Sequence, residues 1–596
     1  MFLLLFKRVV CNEPFALLLF FAVFKPMLFE DVAKAFNEIE ARSGRLEMTD
    51  RLARIFEKAT PDEAERIAYI TQGELRPPYD GIDLGLGEKF VIEAIRKATG
   101  YPKKQVEVEF EKEGDLGLVA EKLIGSKRQQ SLFRKSLSIL SVYNSMFKIS
   151  RATGTGSQTM KINRLVELYN NATPLESRYI TRFALGQLRL GVGDPTILDA
   201  LSVSHAGDKS LREQAERAYN LCSDIGHVAK LFVENPDNMK GFKIEVFKPI
   251  MPAMAERLPT PKEIIDKIGK CAVEYKYDGF RIAIHKKGNR VEIYSRRLEK
   301  MTHMFPDVVA AVQKLKPKEV IFEGEALAFN EEEKRFYSFQ ETMHRRRKYG
   351  LSESSKKYPL RVFAFDLHYL EGEDCTQSPY LERRKKLESF LPSGSIKLST
   401  MRIVSTPRKL DSLFQNALSM RLEGIMAKDL RAKYTAGKRK FAWIKLKKSY
   451  GKEMDTIDAV IVGYYRGKGS RAKFGFGGIL VAVYNDETSR FETIAKVGSG
   501  FTEEEMGNFQ KMLEDDKVKR PPSNLDYSME PDFWVHPRYV VEVAYDNITR
   551  SPTHTCAREA GKGLALRFPR MIRIRDDKGP FNSTTSNEVE EIFRFS

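Results

Sequence analysis

Near residue 245 the apolar period of this chain changes, and that change limits what the chain can fold into. Before it, apolar residues recur at helical spacing: Phe29, Val32, Phe36 and Ile39 in "MLFEDVAKAFNEIEARSGR" fall on one face of a helix. After it, short alternating strands with intervening helices run from about 246 to 449. From 450 to 596 the chain is strand-rich again, with glycine clusters such as "FGFGG" (474–478). One core does not hold 596 residues, so the change of period marks separate domains. The expected fold class is multidomain, α and α+β: an all-helical domain over 27–245, an α+β domain over 246–449, and a small barrel of OB-fold type with a polar tail over 450–596. Composition alone leaves a β-sandwich open for the third.

Within the helical region two sites carry the same start signal. "TPDE" (60–63) and "TPLE" (173–176) each offer a Thr cap, Pro at the first helical position and Glu three after the cap. They belong to an internal repeat. At an offset of 113, Thr60, Pro61, Glu63, Ile67, Gly73, Leu75 and Arg76 match Thr173, Pro174, Glu176, Ile180, Gly186, Leu188 and Arg189. Each copy then runs into a Gly-x-Gly-acid turn, "GLGE" (85–88) and "GVGD" (191–194). Such loops feed helix N-termini and present N–H groups to phosphates; they are equally turns that glycine makes possible, and the residues leave both readings open. Arg76 and Arg189, one beside each loop, are the expected contacts to a duplex backbone.

The charge balance agrees with a polyanionic partner: 99 Lys+Arg against 81 Asp+Glu give +18 and a pI near 9.3, which favours nucleic acid over membrane. The five cysteines are scattered without a CxxC pair, as expected in a reducing compartment without structural zinc. "FALLLFFAVF" (15–24) is shorter than the roughly 20 apolar residues of a membrane span. Lys7-Arg8 precede it, but no small-residue cleavage site follows. A signal peptide stays open; because the helical spacing begins at Met27, that residue is the expected start of the native chain, with 1–26 an upstream extension.

In "CAVEYKYDGFRIAIHKKG" (271–288), Lys276 follows a short apolar run and precedes the turn signal Asp278-Gly279. A hairpin around Lys287-Gly288-Asn289 comes next. A lysine at a strand end is ordinarily solvated. To act as a nucleophile it must shed a proton, which from the usual lysine pKa of about 10.4 costs about 4–5 kcal/mol at pH 7. Burial and neighbouring cations lower that cost. Downstream strands supply candidate partners in pairs: Lys445 and Lys447 share one face of "FAWIKLKK", Glu323 and Glu325 one face of "VIFEGEALAF", and Arg573 and Arg575 one face of "RMIRIRDDK", with Lys578 just beyond. "EGIMAKD" adds Glu423 and Lys428. Each alone is the basic or acidic side of a half-exposed strand. Together, a lysine nucleophile, phosphate-binding cations and metal-holding carboxylates suit attack on a nucleotide α-phosphate. No GxxxxGK[ST] loop is present, which disfavours P-loop hydrolysis.

From about residue 27 to its end the sequence resembles the ATP-dependent DNA ligases of the archaeal and eukaryotic replicative type. The ordered motifs that carry the resemblance are "EYKYDGFR", "SRRLE" (295–299), "FEGEALAF" (322–329), "VFAFDLHYL" (362–370), "LEGIMAKD" (422–429), "GKRKFAWIKLK" (437–447) and "LRFPRMIRIRDDK" (566–578). The resemblance implies a helical DNA-binding domain, a nucleotidyltransferase (adenylation) domain and an OB-fold domain. It implies that Lys276 attacks the α-phosphate of ATP to give a lysyl-AMP, that AMP passes to the 5′-phosphate at a nick, and that the 3′-hydroxyl then displaces it. Glu274 is expected to read the adenine amino group and Phe365 to stack on the base, while Arg281, Arg296 and Glu325 hold ribose and phosphate. Arg439, Lys445 and Lys447 are expected around the α-phosphate, and Arg575 and Lys578 on the pyrophosphate. Glu325 and Glu423 are the expected ligands of Mg²⁺, with Mn²⁺ as substitute.

"KRQQSLFRK" (127–135) resembles the short sliding-clamp-binding motif of archaeal ligases: Gln129 for a polar pocket, Leu132 and Phe133 for an apolar one. Inward packing of the same Leu and Phe is the competing reading. The implied setting is a monomeric, cytoplasmic, nucleoid-associated enzyme of DNA replication, repair, recombination and cell division, acting on nicked duplex DNA with no membrane contact. Two rivals predict different behaviour. A capping guanylyltransferase or RNA ligase shares the KxDG lysine, and a capping enzyme would take GTP; a DNA-binding scaffold with a dead nucleotide site would form no covalent adduct. A ligase of the NAD-dependent kind would carry a four-cysteine zinc site that this sequence lacks.

Overall fold

The structure, a computed structural model, describes residues 26–42, 44–127, 134–330, 335–337, 342, 345, 355, 357–420, 422–447, 455–467, 474–545 and 547–594. The chain forms two compact units. The first comprises the described residues of Met1–Leu75, Asp83–Leu190 and Val203–Asp208, and the second those of Arg76–Ile82, Gly191–Ser202 and Lys209–Ser596.

The first unit is helical. Phe29, Val32, Phe36 and Ile39 are fully buried along the helix Phe29–Glu40, as their spacing predicts. Both expected capping boxes form. Thr60 starts Pro61–Gln72 and Thr173 starts Pro174–Ala184, each side chain accepting the amide of the glutamate three residues on while that glutamate reaches back to the cap. The two copies of the repeat meet at their matched glycines. Gly73 (φ 74°) ends the first of these helices, and a Cβ there would lie 2.7 Å from the carbonyl oxygen of Gly186 (φ 68°). Arg182, only 2% exposed, ties three elements together, bonding Glu40 at 2.7 and 2.9 Å and Asp115 at 2.7 and 3.0 Å.

The second unit carries two sheets that frame a cleft, and a barrel. The five-stranded sheet is ordered Met254–Arg257, Arg439–Lys447, Gly424–Asp429, Cys271–Lys276 and Met401–Val404. The seven-stranded sheet centres on Phe280–Lys287, Glu319–Asn330 and Leu360–Leu370. Alternation sets their faces: Ile444 and Leu446 are buried in the core behind the first sheet, while Lys445 and Lys447 line the cleft. C-terminal strands around Asp455–Tyr465, Gly478–Asn485, Arg490–Val497 and Val540–Tyr545 curl into a β half-barrel consistent with an OB fold. Among the described residues no helix is long and apolar enough to cross a membrane.

Candidate active site

Lys276 is the last residue of its strand. Behind it Ala272 and Val273 are buried in the sheet; after it the chain turns through Asp278-Gly279 so closely under the strand Glu319–Asn330 that a Cβ on Gly279 would lie 2.5 Å from the carbonyl oxygen of Ala326. The amine therefore projects into the cleft between the two sheets. There it pairs with one carboxylate oxygen of Glu423, whose other oxygen pairs with Lys447. Burial alone would raise the Glu423 carboxyl; the Lys276 and Lys447 charges outweigh it and hold the group well below the usual carboxylate range.

Across the cleft Arg281 and Glu325 face each other on adjacent strands. Arg281 is fixed by both oxygens of Glu323, at 3.1 and 2.8 Å, and by the carbonyl of Ala253 at 2.8 Å. Among the described residues the Glu325 carboxylate has no hydrogen-bond partner; burial pushes it up to about 8, despite the nearby Lys276 and Arg281 charges. Arg296 also lines the cleft, and burial with the Arg281 charge lowers its pKa.

The inner end is built around Glu274, which is 3% exposed. It accepts the Tyr380 hydroxyl and lies 2.9 Å from the Lys428 amine, with Arg384 at 3.6 Å. Lys428 also donates to the Phe365 carbonyl at 2.9 Å and sits 4.4 Å from the centre of the Trp443 ring, which meets Phe365 edge-on. At the outer end, the Arg575 Nη1 donates to Asp458 Oδ1 at 2.9 Å and its Nε and Nη2 to Asp577 at 2.8 Å each. Lys578 pairs with the second oxygen of Asp458. Arg573 pairs with Glu542 at 2.7 Å.

The structure thus brings Glu274, Lys276, Arg281, Arg296, Glu325, Phe365, Glu423, Lys445, Lys447, Arg575 and Lys578 to one cleft. Arg439 heads a strand of the same sheet, but its side chain lies outside the described residues. Gln129, Leu132 and Phe133 lie outside them too. Arg76 is half-buried. Arg189 pairs with Asp115 at 3.2 Å, so its guanidinium is tied within its own unit. The sequence reading assigned no role to Tyr380, Trp443 or Asp458, and offered Lys428 only as a candidate cation beside Glu423. A signal existed for Trp443, two residues before Lys445 and hence on the same strand face, and for Asp458, an acid inside the apolar run "IDAVIV".

An amine set among cations and carboxylates in one cleft defines a class of protein that handles nucleotide phosphates. Three family models match the chain in order: DNA ligase N terminus over 28–202, ATP dependent DNA ligase domain over 252–447, and ATP dependent DNA ligase C terminal region over 472–578. A probable DNA ligase of Dictyoglomus turgidum is 47% identical over 95% of this chain and 98% of its own length. A DNA ligase of Saccharolobus shibatae is 42% identical over 95% and 97%. The solved structure of a mycobacterial DNA ligase D complexed with ATP and MES covers 56% of this chain and 98% of that one, at 22% identity and a TM-score of 0.35. The chain belongs to the ATP-dependent DNA ligase family, enzymes that seal nicks in DNA.

Proposed function

We propose that Lys276 is the nucleophile of this ligase, forming a lysyl-AMP, passing AMP to the 5′-phosphate at a nick, and closing the strand when the 3′-hydroxyl displaces AMP. The observation that carries this is the shared carboxylate: Glu423 holds Lys276 and Lys447 on its two oxygens. In that position the Lys276 amine faces the cleft beside a second cation suited to an α-phosphate, and the Glu423 carboxylate is within reach to accept the proton that the amine sheds. Glu274, with its oxygens set by Tyr380 and Lys428, reads the adenine amino group, and Phe365 covers the base. Arg281, Arg296 and Glu325 hold ribose and phosphate, Arg439, Lys445 and Lys447 the α-phosphate, and Arg575 and Lys578 the pyrophosphate.

A divalent cation fits as a partner of substrate phosphates. Among the described residues no group of three or more His, Cys, Asp or Glu could cage a metal, but the unpartnered carboxylate of Glu325 and the shared one of Glu423 face one cleft. Mg²⁺ is ordinarily held by one or two carboxylates plus phosphates. Bound there, Mg²⁺ or Mn²⁺ would supply Lewis acidity and orient the leaving group. We further assign 27–245 to DNA binding, with Arg76 and Arg189 at the duplex, 246–449 to adenylation and 450–596 to the OB fold; a sliding clamp takes Gln129, Leu132 and Phe133. The enzyme acts as a monomer at the nucleoid, in replication, repair and recombination.

The test is covalent labelling with Mg²⁺ and ATP carrying label at the α-phosphate, followed by denaturation and by a chase with nicked duplex. Label on the wild type that the nick discharges, and none on Lys276→Ala, is the expected result. Equal labelling of the variant would remove Lys276 from the role.

A further inference from the structure

Arg575 and Lys578 lie just beyond the strand Arg570–Ile574 at the two corners of a turn, closed by the Lys578 amide donating to the Arg575 carbonyl at 3.1 Å and held by Arg297, which donates to both carbonyls. The turn sets the two backbones but not where the charged ends of the side chains go. They are like charges, 8% and 7% exposed, and two buried cations do not stay together unaided. What ties their side-chain charges together is a single carboxylate. Asp458, 8% exposed on the strand Asp455–Tyr465, which Val540–Tyr545 separates from Arg570–Ile574 in the sheet, gives Oδ1 to Arg575 at 2.9 Å and Oδ2 to Lys578. Its own backbone is pinned on both sides, the amide donating to Thr584 Oγ1 at 2.9 Å and the carbonyl accepting from Thr584 N at 2.8 Å. Asp577 takes the remaining face of the Arg575 guanidinium, so that side chain cannot swing to another partner. Lys447 and Arg296 line the same cleft. The result is two cations held at a fixed spacing in the cleft that holds Lys276.

We propose that Asp458 is a positioning residue for the adenylylation half-reaction, gathering Arg575 and Lys578 where pyrophosphate departs. This rests on the reading of Lys276 as nucleophile and of Arg575 and Lys578 as its pyrophosphate cations. In that step the Lys276 amine, having lost a proton, forms an N–P bond to the α-phosphate with its lone pair. The bond from the α-phosphorus to the oxygen bridging it to the β-phosphate breaks, and the electron pair leaves on pyrophosphate. Negative charge grows on that departing oxygen, and a gathered cation pair stabilises it without reorganising first. Sealing of a nick that already carries AMP releases AMP and no pyrophosphate, so it makes no demand on the pair.

Full-length Asp458→Asn therefore separates the two reactions. Single-turnover labelling of Lys276 from α-labelled ATP is expected to slow about 10- to 100-fold, as for loss of one charge-assisted contact in a transition state. ATP-free sealing of a pre-adenylylated nick should stay within about twofold of wild type. Asp458→Glu keeps the charge on a longer arm and should show the same split in smaller degree; it decides the matter if the Asn variant does not fold. Equal losses in both reactions would reduce Asp458 to a structural ion pair and overturn the proposal. Lys578→Met tests the underlying reading: if it leaves labelling unchanged, that reading fails and the proposal with it. If Lys578→Met slows labelling while neither Asp458 variant does, Asp458 alone loses its role.

Discussion

Glu423 and Glu325 share the cleft, yet their carboxyl pKa values are displaced in opposite directions, and position explains it. Glu423 lies between two lysine amines, which stabilise its anion; Glu325 has burial and, among the described residues, no hydrogen-bond donor, which favours its neutral form. Folding therefore raises the Glu325 pKa, so native protein holds a proton that unfolded chain has released. That contribution is full below the unfolded value, near 4.5, and is lost as pH rises through about 8. Thermal melts of the ligand-free enzyme should show stability falling over this window, and Glu325→Gln should flatten the fall. An unchanged slope in the variant would assign the pH dependence elsewhere. The cleft residues divide by how they could be read. Lys276, Glu423 and Lys447 stand in motifs whose residue types announce phosphate chemistry. Tyr380, which caps Glu274, opens a short, charge-rich helix, and nothing in its neighbours points to a carboxylate 106 residues away.

At the scale of elements, the repeat in the helical unit rests on local chemistry repeated twice. Thr60→Ala and Thr173→Ala should each cost about 1 kcal/mol, since each removes an N-cap hydroxyl and half of a capping box. Gly73→Ala should cost more than Gly100→Ala, measured by denaturant midpoints. Both glycines have left-handed backbones, φ 74° and 79°, but only at Gly73 does the added carbon meet another backbone, that of Gly186. Equal costs would mean that the two copies yield to one another at no penalty. The caps were legible in the sequence because they depend on residues three apart. The meeting of Gly73 with Gly186 was not, because a repeat states likeness and not contact. Arg189 shows the same limit: its place beside a glycine loop says nothing of Asp115, which the fold sets 3.2 Å from its guanidinium.

Taken whole, the chain carries +18, and a ligase must hold a polyanion while it seals it. Nicked-duplex affinity should fall steeply and linearly in log–log form as salt rises, because each phosphate contact releases counterions. Labelling of Lys276 by ATP, confined to one cleft, should change far less over the same range; equal salt slopes would show that the labelling site itself is the salt-sensitive surface. The sequence by itself determined the change from helical to strand periodicity, the helix starts, the strand end at Lys276 and the types of residue gathered for chemistry. All of these are short-range: sterics and hydrogen bonding act between near neighbours, and alternation fixes which side chains share a face. Only the tertiary structure decided what each face meets. Glu423 reaches Lys276 across 147 residues, and Asp458 reaches Arg575 and Lys578 across 117 and 120. Such partners are chosen by sheet register and by the packing of one sheet on another, which no local pattern encodes.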